Sequence, residues 1–492
     1  MSNPQPTDAR RIVIIGGGIS GLAAAYQLKQ ASAAQGRALE VLLLEASERV
    51  GGTVRTLRRD GFLLEAGPDS FISEKPEALQ LAKEIGLESQ LIETNEAHRR
   101  SFIVRGGRLR PVPEGFQLLA PTRFWPFVTT DIFSWSGKAR MALDLLLPRR
   151  TATERNGAAD ESLAQFVRRR FGREALERMA QPMVGGIYTA DPEHLSLRAT
   201  MPRFLEMERQ HRSVIRAMWR ARRRTSGAQQ RGTSGARYSL FLSFDEGVQV
   251  LTDKLAALLS ASIRLNARVH ALDFDQATRQ WRLTVDANET INADAVCLAL
   301  PAYAAAALLR TLDGALAAEL DAIPYASTAT VNLAYRRADI PHALDGFGFV
   351  VPFIERRATL ACTFSSVKFS GRAPDGHALL RAFVGGALQP DMFALDADEM
   401  LAAVRADLRA LLGIEAPPLF AHVEHWPRSM AQYHLGHLER IARINERLKN
   451  FPALQLAGNA YNGAGLPDCI RSGRAAAERI KAVTSDEQRQ SF

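Results

Sequence analysis

Residues 12–21 read IVIIGGGISG, and this stretch decides how the first part of the chain folds. Residues 12–15 form a continuous apolar run, which is typical of a parallel strand buried on both faces. The next six residues fit GxGxxG, and an amphipathic helical stretch follows over residues 22–30. A glycine turn between a strand and a helix brings backbone N–H groups and the helix dipole close to a phosphate. The order of elements therefore predicts a dinucleotide site, with a chance glycine turn as the alternative.

The residues that follow this turn favour FAD over NAD. A second apolar strand over residues 41–44 ends in Glu45, 24 residues after Gly21, where a carboxylate is expected to meet a ribose 2′-OH. The segment RVGGTVR at 49–55 adds a second glycine pair, which suits the larger FAD, although a simple turn is the alternative. The sequence has no second strand–GxGxxG–helix unit. We therefore expect a flavoenzyme whose flavin is reoxidised without a nicotinamide, most simply by dioxygen.

A matching half of the site is expected near the C-terminus. Residues 454–457 read LQLA, a short strand pattern, and residues 458–466 read GNAYNGAGL. Pro467 and Asp468 then favour the first turn of a helix that runs to about Val483. The dipole of this helix could stabilise negative charge on a reduced flavin. We therefore predict an FAD domain assembled from both ends of the chain, with a simple capping helix as the alternative.

The composition excludes several other classes of protein. The 492 residues are 46% apolar and 23% charged, as expected of a globular chain of several domains. Ten arginines and two glutamates at 203–237 carry +8 of the net charge of +9, so a uniformly basic nucleic-acid binder is not expected. A solvated loop, or a contact with anionic lipid or acidic substrate, would explain this segment. Three scattered cysteines and the lack of HExxH or GxSxG motifs predict no metal site and no catalytic triad.

Six motifs, two of them extended from the segments quoted above, give the chain a family resemblance. They are RVGGTVRT at 49–56, GPDSF at 67–71, PMVGGIYTADP at 182–192, GFGFVVP at 346–352 and AQYHLGH at 431–437, together with GNAYNGAGLPDC at 458–469. On these motifs the chain, from about 10 to 482, resembles the oxygen-dependent protoporphyrinogen oxidases, a family within the flavin amine oxidase superfamily. The glycine motifs are shared across that superfamily, whereas GIYTADP and GFGFVVP are more specific.

The resemblance implies a fold and a set of FAD contacts. The fold is α/β, with a Rossmann-like FAD domain of the amine-oxidase type (1–95, 240–300 and 440–485), a helical domain (96–239) and a mixed-sheet substrate domain (301–439). FAD is expected to be bound non-covalently. The positions that match FAD contacts are Gly16, Gly17, Gly18, Ile19, Ser20, Gly21, Glu45, Arg49, Gly52, Thr53, Gly67, Pro68, Asp69, Ser70, Val269, Gly458, Ala464, Gly465 and Leu466.

The resemblance also implies contacts with a porphyrinogen. The matching positions are Arg100, Gly186, Phe347, Val350 and Phe383. Arg100, expected to meet a substrate propionate, lies one position away from the strict register, which holds Ser101. Oxidation of a porphyrinogen to a porphyrin removes six hydrogens in three two-electron flavin cycles, so no catalytic side chain is expected.

The identity of the substrate stays open at this point. Protoporphyrinogen is preferred, because the aromatic stretch at 115–135 suits delivery of a poorly soluble substrate from a membrane; coproporphyrinogen III is the alternative. Arginines that could serve the carboxylates of either substrate are Arg99, Arg100, Arg105, Arg108 and Arg110. An amine oxidase would usually carry a lysine in the strand at 329–335, which has none. That function, a polyene desaturase and a flavin-holding protein without turnover are more remote alternatives.

Location and partners are predicted only coarsely. A reducing, cytoplasmic compartment is expected, because three cysteines far apart and without CxxC support no disulfide framework. No uncharged apolar run reaches the roughly 20 residues that span a bilayer, so a soluble or peripheral protein is expected. Residues 115–135 fit either a buried helical core or a surface that contacts a membrane. The Gly/Ser/Arg-rich segment at 220–237 is expected to be a flexible loop. Enzymes of haem synthesis and a second copy of the chain are possible partners, whereas nucleic acid is not expected.

Overall fold

The computed structural model describes residues 10–35, 39–117, 120–149, 160–225, 241–286 and 288–489. Its strands, in chain order, are β1 (Arg10–Ile15), β2 (Leu39–Leu44), β3 (Thr56–Arg59), β4 (Phe62–Glu65), β5 (Phe71–Ile72), β6 (Leu91–Glu93), β7 (Phe102–Arg105), β8 (Arg108–Pro111), β9 (Phe116–Gln117), β10 (Ala120–Pro121), β11 (Phe241–Phe244), β12 (Ile263–Arg264), β13 (Val269–Asp275), β14 (Gln280–Val285), β15 (Glu289–Ala293), β16 (Ala295–Leu298), β17 (Tyr325–Arg336), β18 (Gly348–Val350), β19 (Thr359–Phe364), β20 (His377–Gly385), β21 (Phe420–Ala431) and β22 (Leu454–Leu456).

The α-helices are α1 (Ile19–Gln35), α2 (Glu77–Glu84), α3 (Phe124–Thr129), α4 (Trp135–Ala142), α5 (Leu163–Arg170), α6 (Arg173–Ala175), α7 (Gln181–Tyr188), α8 (Leu197–Thr200), α9 (Pro202–His211), α10 (Val214–Thr225), α11 (Gln249–Leu258), α12 (Ala302–Leu309), α13 (Gly314–Asp321), α14 (Ser365–Lys368), α15 (Pro390–Phe393), α16 (Ala397–Leu412), α17 (His437–Leu448) and α18 (Leu466–Arg489). A π-helical turn, Leu176–Ala180, joins α6 to α7. The first helix is longer than the predicted 22–30, and the last runs past the predicted end at 483.

A five-stranded parallel sheet forms the centre of the first unit, in the order β12-β2-β1-β16-β22. Ile12 of β1 pairs with Val41 on one side and Ala295 on the other, and Leu298 of β16 pairs with Leu456 of β22. Helices α1, α11 and α18 cover the face that carries Ile12 and Ile14, and the three-stranded sheet β13-β14-β15 covers the face that carries Val13 and Ile15, so the apolar residues of β1 are buried. The sheet therefore draws its strands from both ends of the chain and from residues 263–298.

A seven-stranded mixed sheet forms the second unit, in the order β21-β17-β20-β19-β18-β7-β8. Its neighbours are antiparallel except for β18 and β7, which run parallel. Helix α16 packs on one face of this sheet through Met400, Val404 and Leu408. The hairpin β7–β8 lies inside the range predicted for the helical domain, yet it adds two strands to this sheet.

Helices α3 to α10 form a third, helical part of the molecule. Its interior holds a fully buried ion pair between Arg170 and Asp144. The aromatic stretch at 115–135 divides between core and surface: Phe127 and Phe133 are buried, whereas Phe124 and Trp125 are exposed. Most of the predicted flexible loop at 220–237 lies outside the described residues.

Candidate active site

The glycine turn after β1 leaves an open cradle beside the start of α1. Gly16 has φ +107°, and a Cβ at Gly21 would lie 1.9 Å from the Gly16 carbonyl oxygen, so both positions require glycine. By contrast, a Cβ at Gly18 would meet no atom of the described residues within 4 Å. Ile19 and Ser20 begin the helix directly after it. This open backbone at a helix N-terminus is the geometry that a pyrophosphate requires.

Glu45 lies at the end of β2, next to this cradle. Its Oε2 atom accepts a hydrogen bond from the Gly17 N–H at 2.6 Å, and its Oε1 atom accepts bonds from Ser47. The Ala267 N–H donates to the Glu45 carbonyl at 2.8 Å, which brings the start of β13 and Val269 beside the carboxylate. The predicted ribose and adenine contacts therefore lie on neighbouring segments.

The second glycine pair forms a loop that lies against the first. The Gly51 N–H donates to the Gly17 carbonyl at 2.8 Å, and Arg49 donates to the carbonyls of Val50, Gly52 and Val54. Burial lowers the pKa of Arg49 below that of a free arginine. Arg49 therefore holds the loop in shape through its own backbone.

Segment 65–70 lies directly beside this loop. A Cβ at Gly67 would lie only 1.7 Å from the Thr53 carbonyl oxygen, so the two segments touch at a position that only glycine can fill. Asp69 accepts hydrogen bonds from Lys368 Nζ at 2.8 Å and from Ser70 Oγ at 2.7 Å. Asp69 is half-buried, and the positive charges of Lys368 and Arg381 hold the pKa of its carboxyl well below its usual range, against the opposing effect of desolvation. Pro68 lies between Gly67 and this ionised carboxylate.

The C-terminal loop completes this part of the site. The Gly458 N–H donates to Ser472 Oγ, and a Cβ at Gly463 would lie 2.4 Å from the Asp468 carboxyl carbon. Residues 464–466 then lead into α18, whose Gly473 packs against the Ser20 carbonyl of α1. The two helices that begin at the predicted FAD contacts are therefore in direct contact.

Tyr433 and His437 contact the same loop. They follow β21 of the seven-stranded sheet, and His437 begins α17. Their rings stack at 4.1 Å with an angle of 9° between the planes. The Tyr433 hydroxyl donates to the Asn459 carbonyl and accepts from the Gly463 N–H, each at 2.7 Å. Burial raises the pKa of Tyr433, so its hydroxyl stays protonated and keeps both bonds.

We expect His437 to make the fold sensitive to acid. Burial lowers its pKa from 6.5 to about 4, so the folded state favours the neutral ring. This contribution to stability is complete above pH 6.5 and is lost as the pH falls towards 4. A His437→Phe variant keeps a ring but cannot titrate. Urea unfolding between pH 6.5 and 4 should show a steeper loss of unfolding free energy for the wild type, and equal slopes would contradict the assignment.

A row of paired side chains crosses the seven-stranded sheet on the face turned towards segment 65–70. We call it the cross-strand row; its members, each paired with the next on the neighbouring strand, are Thr330, Phe383, Ala361, Val350, Ile103 and Arg110. Thr330 Oγ1 donates to the Ala66 carbonyl at 2.9 Å, and a Cβ at Gly186 would lie 3.8 Å from Val350. The row thus joins the predicted FAD segment to three of the predicted substrate positions.

The predicted propionate ligand, Arg100, lies outside the cross-strand row, beside Gly346 and Asp345. Its Cγ and the Phe102 ring both border Gly346, and its guanidinium pairs with Asp345 at 3.1 Å. Its carbonyl accepts the N–H of the buried Phe347 at 2.8 Å. Ser101, which holds the strict register, is buried and its hydroxyl has no partner among the residues covered by the structure.

The structure adds residues that the sequence did not single out. Lys368, Arg381 and Tyr433 all contact predicted FAD segments, although each belongs to the seven-stranded sheet or its connections. Arg381 could have been noticed, because a lone arginine in the apolar run LLRAFV is unusual for a buried strand. Tyr433 carries no such signal.

Comparison with known proteins agrees with this architecture. A model of the family "Flavin containing amine oxidoreductase" matches residues 19–481. The coproporphyrinogen III oxidase of Bacillus subtilis is 36% identical over 95% of this chain and 97% of its own length. Protoporphyrinogen oxidase 2 of Arabidopsis thaliana is 29% identical over 97% of this chain and 94% of its own length.

A crystal structure from Exiguobacterium sp. 255-15, assigned as a protoporphyrinogen oxidase, matches with a TM-score of 0.84 and 33% identity over 96% of this chain and 99% of its own. The open cradle at Gly18, the carboxylate at Glu45 and the paired helix N-termini fit the phosphates and ribose of FAD. The chain therefore belongs to the flavin-containing amine oxidoreductase family, and its cofactor is FAD.

Proposed function

We propose that this chain is an oxidoreductase that converts coproporphyrinogen III to coproporphyrin III in haem biosynthesis. The reaction removes six hydrogens, and three dioxygen molecules would take them up as three molecules of hydrogen peroxide. The sequence alone favoured protoporphyrinogen. The chain is nevertheless 36% identical to the coproporphyrinogen III oxidase of B. subtilis and 29% identical to the A. thaliana protoporphyrinogen oxidase. Protoporphyrinogen is therefore the second candidate.

The observation that supports a porphyrinogen is the cross-strand row. Its centre is apolar, with Phe383, Ala361 and Val350, and one end reaches segment 65–70. Its other end is Arg110, whose Nη1 pairs with Asp131 at 3.0 Å and whose Nε is buried without a partner in the part of the chain that is described. Apolar walls with a cation at one edge suit a tetrapyrrole that carries carboxylates at its rim.

The chemistry that bound FAD would supply is hydride acceptance in each cycle and return of the electrons to dioxygen. The chain's own residues bind and orient the substrate. Val350, beside Gly186, and Phe383 supply flat apolar contacts, and Arg110 would hold a propionate and so fix which edge faces the flavin.

The test is the appearance of porphyrin fluorescence in air with purified, FAD-loaded protein. Coproporphyrinogen III and protoporphyrinogen IX are offered in parallel, and spontaneous oxidation is subtracted. We expect the faster enzyme-dependent rate with coproporphyrinogen III. A faster rate with protoporphyrinogen would select the second candidate, and no enzyme-dependent rate with either would contradict the porphyrinogen class.

Within this proposal, we expect Arg110 to matter more for substrate binding than Arg100. Loss of a charge-assisted hydrogen bond to a propionate corresponds to a KM about tenfold higher for an Arg110→Met variant. The Arg100→Met variant is the matched control: Arg100 also pairs with a surface carboxylate but lies outside the cross-strand row, so its loss should change KM little. Steady-state kinetics with coproporphyrinogen III measure both values. The opposite ranking would return the propionate role to Arg100.

We also propose that the helical part touches anionic membranes at its periphery. Exposed apolar side chains lie there, above all Trp125, Trp135 and Leu146, and Arg212 lies at the same surface, bonded to the Leu146 carbonyl. Trp side chains beside arginines favour an anionic lipid interface. No helix of the described residues is long and apolar enough to cross a bilayer. When phosphatidylglycerol vesicles are pelleted by centrifugation, the wild type should pellet with them, whereas a Trp125→Ser/Trp135→Ser variant should stay in the supernatant. An equal bound fraction of the two proteins would contradict the proposal.

A further inference from the structure

Arg381 is an arginine buried in the middle of the seven-stranded sheet. It lies on β20, paired with Asn332 of β17, and its side chain is only 4% exposed. Arginine is rarely buried to this degree unless carboxylates neutralise it. The surroundings of this side chain therefore need an explanation.

The contacts of Arg381 join two parts of the site. One terminal nitrogen, Nη2, donates to the Gly67 carbonyl, and the guanidinium carbon lies 4.7 Å from the centre of the Phe383 ring. The other, Nη1, lies 4.0 Å from Asp69 Oδ2, and the Nε atom is buried without a hydrogen-bond partner among the residues described. One side chain thus fixes the predicted FAD segment against the predicted substrate wall.

The charge of Arg381 is only partly neutralised. Two carboxylates act on it, those of Asp69 and Glu65. Asp69 is held more closely by Lys368, at 2.8 Å, and Glu65 also interacts with Arg372. Burial raises the pKa of Glu65, which weakens it further as a counter-ion. Lys368, Arg372 and Arg381 therefore share Asp69 and Glu65, with Asp245 also acting on Arg372, and neither of the two shared carboxylates belongs to Arg381 alone.

The sheet around Arg381 holds segment 65–70 by successive backbone carbonyls. Asn332 Nδ2 donates to the Glu65 carbonyl at 3.3 Å, and Trp426 Nε1 donates to the Ala66 carbonyl at 2.8 Å. Arg381 takes the next carbonyl, that of Gly67, the residue whose Cα lies against the Thr53 carbonyl. Of the donors on these three carbonyls, only Arg381 brings a charge.

We propose that Arg381 is a positioning residue for the flavin, and that its incompletely neutralised charge favours the reduced, anionic form of the ring over the oxidised, neutral form. A ring that accepts a hydride gains one negative charge, and a buried cation beside it stabilises that charge strongly because the dielectric constant is low. The inference rests on FAD binding, whereas it is independent of which porphyrinogen is the substrate.

The test is the midpoint potential of the bound flavin, measured anaerobically by dye equilibration on holoenzyme without any porphyrinogen. We expect Arg381→Met to disfavour the reduced flavin at least tenfold, a fall of about 30 mV for a two-electron couple. Arg381→Lys, which keeps the charge, should fall less. The matched control is Arg357→Met, which also removes a guanidinium beside this sheet but one that pairs with Asp407; its potential should not change.

A second variant keeps the proposal decidable if Arg381→Met does not fold or does not retain FAD. Asp69→Asn removes a negative charge from the same group and should shift the potential upwards, opposite in sign to Arg381→Met. An unchanged potential in FAD-loaded Arg381→Met, or an unchanged or lower potential in Asp69→Asn, would overturn the proposal. Because no porphyrinogen is present, this result is separate from the success or failure of the fluorescence assay.

Discussion

A methyl group at Gly18 should abolish tight FAD binding without harming the apoprotein. A Cβ there meets no atom of the described residues within 4 Å, and the residue does not have a positive φ, so the Gly18→Ala chain can fold unchanged. The same methyl group would occupy the space in which the pyrophosphate approaches the backbone. We expect FAD affinity to fall by on the order of a hundredfold, measured by titration of apoprotein, while the urea midpoint of the apoprotein stays constant.

Two further glycines provide controls for this experiment. Gly314 at the start of α13 also has open space around a Cβ but lies outside the predicted FAD segments, so Gly314→Ala should change neither quantity. Gly21→Ala, unlike Gly18→Ala, should destabilise the apoprotein, because its Cβ would lie 1.9 Å from the Gly16 carbonyl oxygen and would push α1 away from β1. That variant should lose about 1–3 kcal/mol of apoprotein stability. Full FAD affinity in Gly18→Ala would show that the pyrophosphate lies elsewhere.

The second large effect is expected in the helical part, at Arg170. This fully buried guanidinium donates to the Asp144 carboxylate, to the carbonyl of Arg212 and to the carbonyl of Pro148. Among the described residues, Arg170→Met would leave the buried Asp144 carboxylate with Ser213 Oγ and the Ile215 N–H as its partners. Removing one member of a buried ion pair typically costs about 3–5 kcal/mol, and urea unfolding of the variant should show a loss of that size.

The control for Arg170 is Arg173→Met. Arg173 pairs with Glu177 on the same stretch of chain, but its side chain is 83% exposed, so the pair contributes little. We expect its unfolding curve to coincide with that of the wild type. Similar losses in the two variants would mean that helix propensity, and not the buried charge, determines the result.

The parts of the fold that could be predicted are those that short stretches of sequence encode. The apolar run, the glycines and Glu45 lie within 34 residues, and each makes contacts with neighbours that are close in the chain. The resemblance then gave the family, which the comparisons confirm. The roles of the individual site residues stay predictions, although the structure brings the predicted FAD segments together.

The parts of the fold and of the site that the sequence did not predict depend on contacts between residues that are far apart in the chain. Arg381 reaches the Gly67 carbonyl across 314 residues, and no local pattern indicates that partner. The relation between Arg100 and Arg110 depends on the parallel pairing of β7 with β18, which sets the face on which each side chain lies. Because the hairpin β7–β8 could not be assigned to that sheet from the sequence, neither could the faces of its arginines.

The arrangement of β22 and α18 has a consequence for synthesis on the ribosome. The strand Leu454–Leu456 completes the parallel sheet, and the helix Leu466–Arg489 packs on α1. Helix α1 therefore reaches its native packing only after the helix Leu466–Arg489 has been synthesised. Contacts of such sequence separation form late, because a long loop must close before they are gained. Until then the part of the apolar surface of α1 that packs on α18 is uncovered, and exposed apolar surface of this kind favours aggregation. FAD should therefore bind after translation of these elements. When FAD is scarce, apoprotein should accumulate.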